Sequence, residues 1–203
     1  MNQLHAEASQ FLSRLDTDWA HLIAIVGECT FEPKQACEPY EALVRAVAGQ
    51  QLHIKAAAAI TLKFINHFGA FPAPQQLLAA SFDDLRSCGF SGRKIETIQG
   101  IATATLSGIV PNLTDAQAMT NDALIKRLVT LKGIGRWTVE MFLMFTLGRM
   151  DVLPADDFGV VQGYKRLKKL EAAPKAKQMT AIAEAFSPYR TVASWYLWRV
   201  PKD

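Results

Sequence analysis

Apolar residues recur at three- and four-residue spacing along nearly the whole chain, and this period constrains the fold more than any other feature. Leu43, Val47 and Ala48 make one helical stripe, and Ile54, Ala57, Ala58, Leu62 and Ile65 make the next. A strand needs apolar alternation at period two, and no credible example occurs. The spacing predicts an all-α chain. Pro39 near a helix start, Gly69 before Phe71-Pro72-Ala73-Pro74, Ser81 ahead of Phe82 and the stretch Gly108 to Pro111 supply the breaks. Helices are expected near 3–15, 17–27, 39–49, 53–67, 74–80, 82–88, 92–107, 121–130, 136–147, 157–169, 175–186 and 189–199.

With 203 residues, half of them hydrophobic and 20% charged, the chain can bury more than half the surface its unfolded form exposes. Disordered and fibrous classes fail on this composition, and a multidomain assembly fails on length. No repeat, low-complexity tract or long linker is present. The expected organisation is one domain of two helical lobes around a cleft, the first lobe over 39–107 and the second over 1–38 plus 108–203.

Cys29, Cys37 and Cys88 form no CxxC pair and have no histidine at ligand spacing, so neither a disulfide framework nor a zinc site is readable. His5, Glu7, Arg14, Asp16 and Asp18 interrupt the apolar positions a secretion signal requires. No uncharged apolar run approaches the roughly 18 residues of a membrane helix. An intracellular location is the default expectation. The net charge is only +3, but acids outnumber bases by three over 1–119 and bases outnumber acids by six over 120–203. A basic half is compatible with a polyanionic partner and equally with a solvated helical surface.

Chemistry concentrates in two stretches. The first, Leu128-Val129-Thr130-Leu131-Lys132-Gly133-Ile134-Gly135-Arg136-Trp137-Thr138, lies between two helical patterns. Gly133 and Gly135 permit a tight hairpin, whose backbone N–H groups at the next helix start can hold a phosphate between Lys132 and Arg136. The second, Val152-Leu153-Pro154-Ala155-Asp156-Asp157-Phe158-Gly159, brings an apolar segment into two adjacent acids at a helix head. One acid reads as an N-cap, and a second leaves a carboxylate to project into a cleft as an electrostatic or general-base group.

LKGIGRWT, a helix and then LPADDF together resemble the helix-hairpin-helix and Gly/Pro…Asp signature of the DNA base-excision glycosylase superfamily. Tyr40-Glu41-Ala42-Leu43-Val44-Arg45-Ala46-Val47-Ala48-Gly49-Gln50-Gln51 and Pro188 to Arg199 are similar to its alkylation-repair branch, the DNA-3-methyladenine glycosylase II type. The four motifs span about residues 40 to 199 in the family's order. The chain resembles the compact form that lacks the N-terminal β-rich domain of larger members.

The resemblance implies a two-lobed helical glycosylase fold and a monofunctional hydrolase that excises N-alkylated purines such as 3-methyladenine and 7-methylguanine by base flipping. Asp157 matches the catalytic aspartate and Asp156 its less essential neighbour. Trp137, Phe158 and Trp198 match the base pocket, with Tyr40 near another such position and Met141 where some relatives carry an aromatic ring. Gln51 falls on the wedge that fills the gap left by the extruded nucleotide, where some members have leucine. His53 beside it is a minor-groove contact or simply a histidine at a helix start. Lys132, Gly133, Ile134, Gly135, Arg136 and Thr138 would grip the DNA backbone. In the family the hairpin carbonyls, here those of Val129, Leu131 and Ile134, can hold Na+ or K+.

Bifunctional relatives carry a Schiff-base lysine immediately after the hairpin's basic residue, where this chain has Trp137, so lyase activity is not expected. No cysteine follows Cys88, so the four-cysteine iron–sulfur cluster of other relatives is not expected, and no cofactor is required. The implied partner is double-stranded DNA containing alkylated bases, with no membrane, acting as a monomer in the cytoplasm at the nucleoid of a bacterium or in the nucleus of a eukaryote. Spacing alone assigns Trp195 and Trp198 to a core, and the resemblance moves only Trp198; Trp19, Trp195, Phe142 and Phe145 stay with the core. Arg190 buttresses the site or lies at the surface, and Lys168, Lys169, Lys175 and Lys177 form a solvated face. The alternatives are a non-catalytic helix-hairpin-helix module that binds duplex DNA, which needs neither Asp157 nor facing aromatics, and a helical metabolic or interaction domain.

Overall fold

The computed structural model describes residues 2–33 and 37–202, and within them the regular structure is helical throughout. The order is α1 (Asn2–Ser13), α2 (Thr17–Val26), α3 (Pro39–Gly49), α4 (Ile54–Phe68), α5 (Pro74–Ala79), α6 (Phe82–Ser87) and α7 (Gly92–Leu106). It continues with α8 (Leu113–Ala118), α9 (Asn121–Leu128), α10 (Arg136–Phe145), α11 (Phe158–Leu167), α12 (Ala176–Ala183), a 3-10 turn at Glu184–Phe186, and α13 (Arg190–Leu197). Short polar side chains start many of them: Asp16, Ser81, Ser91, Asn112, Thr120 and Asp157 each accept a first-turn backbone N–H. The apolar period does not reveal α8, because six residues make too little stripe. Its signal is the cap, where Asn112 and Asp115 bond reciprocally, backbone to side chain at 2.8 Å and side chain to side chain at 2.9 Å.

The chain divides into two units, Met1–Lys34 with Leu143–Asp203, and Gln35–Phe142. In the first, α13 packs on α1, α2 and α11. Its core holds Leu12, Trp19, Val160, Val192 and Tyr196, with Trp19 meeting Phe186 edge-on at 5.1 Å. The Tyr196 hydroxyl donates to the Gly27 carbonyl at 3.0 Å, so the polar tip of a buried ring is satisfied. In the second unit α7 is central, packed on α3, α5 and α6 through buried Ile95, Ile98, Ile101 and Ala102.

The expected boundary near residue 107 is therefore displaced, and residues 108–142 belong with 39–107. Polar ties account for this. Lys132 pairs with Glu96 on α7 at 2.8 Å, and the Gln50 side chain donates to the Gly133 carbonyl at 3.2 Å.

Candidate active site

In the first unit, Asp157 is the N-cap of α11, and its Oδ1 accepts the Val160 N–H at 2.8 Å. The same oxygen accepts the Trp198 indole Nε1–H at 2.7 Å. Of the two adjacent acids, Asp157 is the cap, and its capping oxygen is also the one that meets the indole, while Asp156 is exposed. Two N–H donors and a helix N-terminus all point at this carboxylate.

The close approach of indole and carboxylate depends on glycine. A Cβ on Gly159 would lie 2.6 Å from Trp198 Cδ1 and 3.1 Å from Asp157 Oδ1. Four residues on, a Cβ on Gly163 would overlap the Leu197 carbonyl, so α11 and α13 touch backbone to backbone just ahead of Trp198. Trp198 is half-buried and stacks on Phe145 at 6.0 Å and 19°, and Phe145 in turn leans on Phe31 at 5.4 Å. Phe145 is thus part of the aromatic support of the site and not merely core. Phe158 is 79% exposed, an unusual setting for a phenyl ring beside a carboxylate.

The segment leading to Asp157 is anchored to α13. Asp151 accepts from the Arg190 guanidinium at 3.1 Å and from the Ser187 hydroxyl at 3.0 Å. Arg190 also donates to the Ala183 carbonyl at 3.0 Å, while the Thr191 hydroxyl donates to the Arg149 carbonyl at 2.7 Å. Arg190 is therefore a buttress. Asp151, Thr191, Gly159 and Gly163 escape sequence reasoning because each acts through a partner distant in the chain; the Gly-x-x-x-Gly spacing was the one local signal.

In the second unit, α9 and α10 are joined by the glycine turn. Gly133 has φ +84°, and a Cβ there would overlap Thr97 on α7, so this position needs glycine on both counts. Gly135 is not in the left-handed region, and a Cβ there would meet no atom within 4 Å. Its expected conformational role is not realised; what it leaves is open space at the head of α10. The flanking bases are paired with carboxylates: Lys132 with Glu96 at 2.8 Å, and Arg136 with the nearly buried Glu140 at 2.8 Å. The Thr138 and Ile134 side chains are buried, which confines any DNA contact they make to the backbone.

Trp137 and Met141 sit four apart on α10, hence on one helix face, with Trp137 43% exposed. Gln51 and His53 are exposed in the turn between α3 and α4. His53 caps α4 through Nδ1, which accepts the Lys55 N–H at 3.3 Å, so Nε2 carries the proton and is a donor. Tyr40 is buried against the edge of Phe71 at 5.8 Å, its hydroxyl without a hydrogen-bond partner and pushed well above its ordinary pKa by burial. The structure places it in the core of its unit and not in an exposed aromatic surface.

Among the described residues no cluster of His, Cys, Asp or Glu could hold a metal ion. The hairpin carbonyls are hard oxygen donors of the kind alkali cations take, although that of Leu131 already accepts the Ile134 N–H at 3.0 Å. No helix of the described residues is long and apolar enough to cross a membrane.

The chain is 45% identical to DNA-3-methyladenine glycosylase 1 of Schizosaccharomyces pombe over 97% of its own length and 87% of that protein. A solved 3-methyladenine DNA glycosylase from S. pombe in complex with abasic DNA superposes with a TM-score of 0.87 at 45% identity, covering 95% of each chain. A DNA-3-methyladenine glycosidase from Bacillus halodurans superposes at 0.83 with 36% identity, over 95% of this chain and 88% of that one. Residues 44–188, which carry the glycine hairpin and the Asp157 helix head, match the HhH-GPD superfamily of base excision DNA repair proteins, and the chain belongs to that superfamily.

Proposed function

We propose that this protein is a monofunctional DNA glycosylase that flips N-alkylated purines, 3-methyladenine and 7-methylguanine among them, out of duplex DNA and hydrolyses their N-glycosidic bond. The observation that carries the reading is the Asp157 carboxylate, held by the Val160 N–H and the Trp198 indole next to the exposed Phe158 ring. Alkylation at N3 or N7 makes the purine cationic. When the C1′–N bond breaks, its electron pair leaves with the base, which departs neutral and needs little acid help. The sugar is left as an oxocarbenium ion, which a fixed carboxylate stabilises while water adds at C1′ and gives up a proton.

Phe158 and Trp198, in the unit that holds Asp157, offer ring faces to the cationic base. Each cation–π contact is worth about 0.5–2 kcal/mol and favours damaged over neutral purines. The indole N–H of Trp198 points at Asp157, so this ring also orients the carboxylate. The hairpin N–H groups, the open space at Gly135, and Lys132 and Arg136 once released by their carboxylates suit a backbone phosphate. Gln51 fills the gap in the stack, and the His53 Nε2–H matches the acceptors of a minor groove. A Na+ or K+ ion at the carbonyls of Val129, Leu131 and Ile134 would strengthen that grip. The position after Arg136 holds an indole and no amine, which leaves that position without a Schiff-base nucleophile. The reading requires no redox cofactor or zinc, and places a monomer wherever the genome lies, the nucleoid in a bacterium or the nucleus in a eukaryote.

Asp157→Asn tests the assignment, because the amide oxygen still accepts from Val160 and Trp198 while the charge is gone. Melting temperature and duplex affinity should hold, while single-turnover release of 3-methyladenine and 7-methylguanine falls about a thousandfold, or about 4 kcal/mol. Unchanged turnover would overturn the mechanism and leave duplex binding without chemistry.

A further inference from the structure

A lysine ammonium rarely turns into a fold unless acceptors there take up its donors. Lys94, near the start of α7, does turn inward, and its Nζ donates to the carbonyls of Ala48 and Gln50, each at 2.9 Å. Both carbonyls lie at the C-terminal end of α3, where unpaired acceptors and the negative end of the helix dipole collect. Burial holds the Lys94 ammonium below its ordinary pKa. A second tie runs from the Gln50 side chain, whose Nε2 donates to the Gly133 carbonyl of the hairpin at 3.2 Å. The next residue is Gln51, with φ +57°, a left-handed conformation that L side chains rarely adopt and that surrounding contacts must enforce. Neither tie has a part in the chemistry proposed above.

We infer that Lys94 and Gln50 are positioning residues that clamp the end of α3 to α7 and to the glycine hairpin, and so preset Gln51 in its strained conformation before DNA arrives. The inference rests on reading Gln51 as the wedge. A wedge already in place spends no ordering entropy when the base leaves the stack. The advantage therefore appears only where a paired base must be replaced, and vanishes where the lesion is already unstacked.

The test is single-turnover release of 7-methylguanine from a fully paired duplex and from the same strand with the lesion in an unpaired bubble. Lys94→Met should slow release from the paired duplex about tenfold and from the bubble less than about twofold, with Lys94→Arg restoring most of the loss. Gln50→Ala should act in the same direction with about a threefold loss on the duplex, and decides the matter if Lys94→Met fails to fold. Equal loss on both substrates, or none on either, overturns the clamp. Gln51→Ala separates the two claims. If it leaves the duplex-to-bubble ratio unchanged, the wedge reading itself fails; if it lowers the ratio and the folded clamp variants do not, only the clamp fails.

Discussion

Two N–H donors meet on Oδ1 of Asp157, so substitutions around it can separate charge from geometry. Gly159→Ala removes no functional side chain but sets a methyl group 2.6 Å from Trp198 Cδ1, and the indole has to swing away from the carboxylate. A hydrogen bond to a charged group is worth about 1.5–3 kcal/mol, which corresponds to a loss of about 10- to 100-fold in single-turnover base release at unchanged duplex affinity. Trp198→Phe should reproduce that loss, because phenyl keeps a face for Phe145 and lacks the donor. If either variant retains full rate, the indole does not orient Asp157. The aspartate was legible in the sequence as an acid at a helix head. That one oxygen both caps and faces Trp198 was not, since residue 198 lies 41 positions away.

Elements are joined by polar ties as well as by apolar stripes. Lys168, at the C-terminal end of α11, bonds Asp16 at 2.6 Å and Asp18 at 2.8 Å, and Asp16 is also the N-cap of α2. The run of lysines around it reads as a solvated face, yet this one is a tie between helices. Burial works to raise the Asp16 pKa, but bonds from Lys168, Trp19 and Asp18 outweigh it and hold the carboxyl below its ordinary value. Burial likewise works to lower the Lys168 pKa, and the two aspartates outweigh it and raise it. Stability from Asp16 is therefore present above the ordinary carboxylate pKa and lost as pH falls through its lower folded value, below about 4. Stability from Lys168 is present below the ordinary lysine pKa and lost as pH rises through its higher folded value, above about 10.5. Lys168→Met should lower the melting temperature by about 2–4 °C at pH 7, roughly 1 kcal/mol for a partly exposed pair. The difference from the parent should shrink below about pH 4 in melts recorded across pH. A constant difference at every pH would show that the lysine stem, not its charge, makes the contact.

Over the whole molecule, the basic balance of residues 120–203 overstates what the hairpin offers to a polyanion. Lys132 is tied to Glu96, an exposed pair of the kind that yields easily to a competing phosphate. Glu96→Gln should tighten binding to undamaged duplex about two- to fivefold at low salt and converge with the parent as salt rises. Fluorescence anisotropy across a salt series measures this, and unchanged affinity at low salt would place Lys132 outside the DNA contact. The sequence alone determined that the chain is helical, where most helices begin, which turn is a hairpin and that an acid heads α11. Those features are written in neighbours three or four positions apart, the range over which periodicity, caps and glycines act. Tertiary structure decided that residues 108–142 join the unit of 39–107, that Tyr40 and Thr138 are buried, and that Phe145 supports Trp198. It alone set the clamp on Gln51 as well. Each of these depends on contacts between segments far apart in the chain, where burial and a partner's position, and no local pattern, choose a side chain's role.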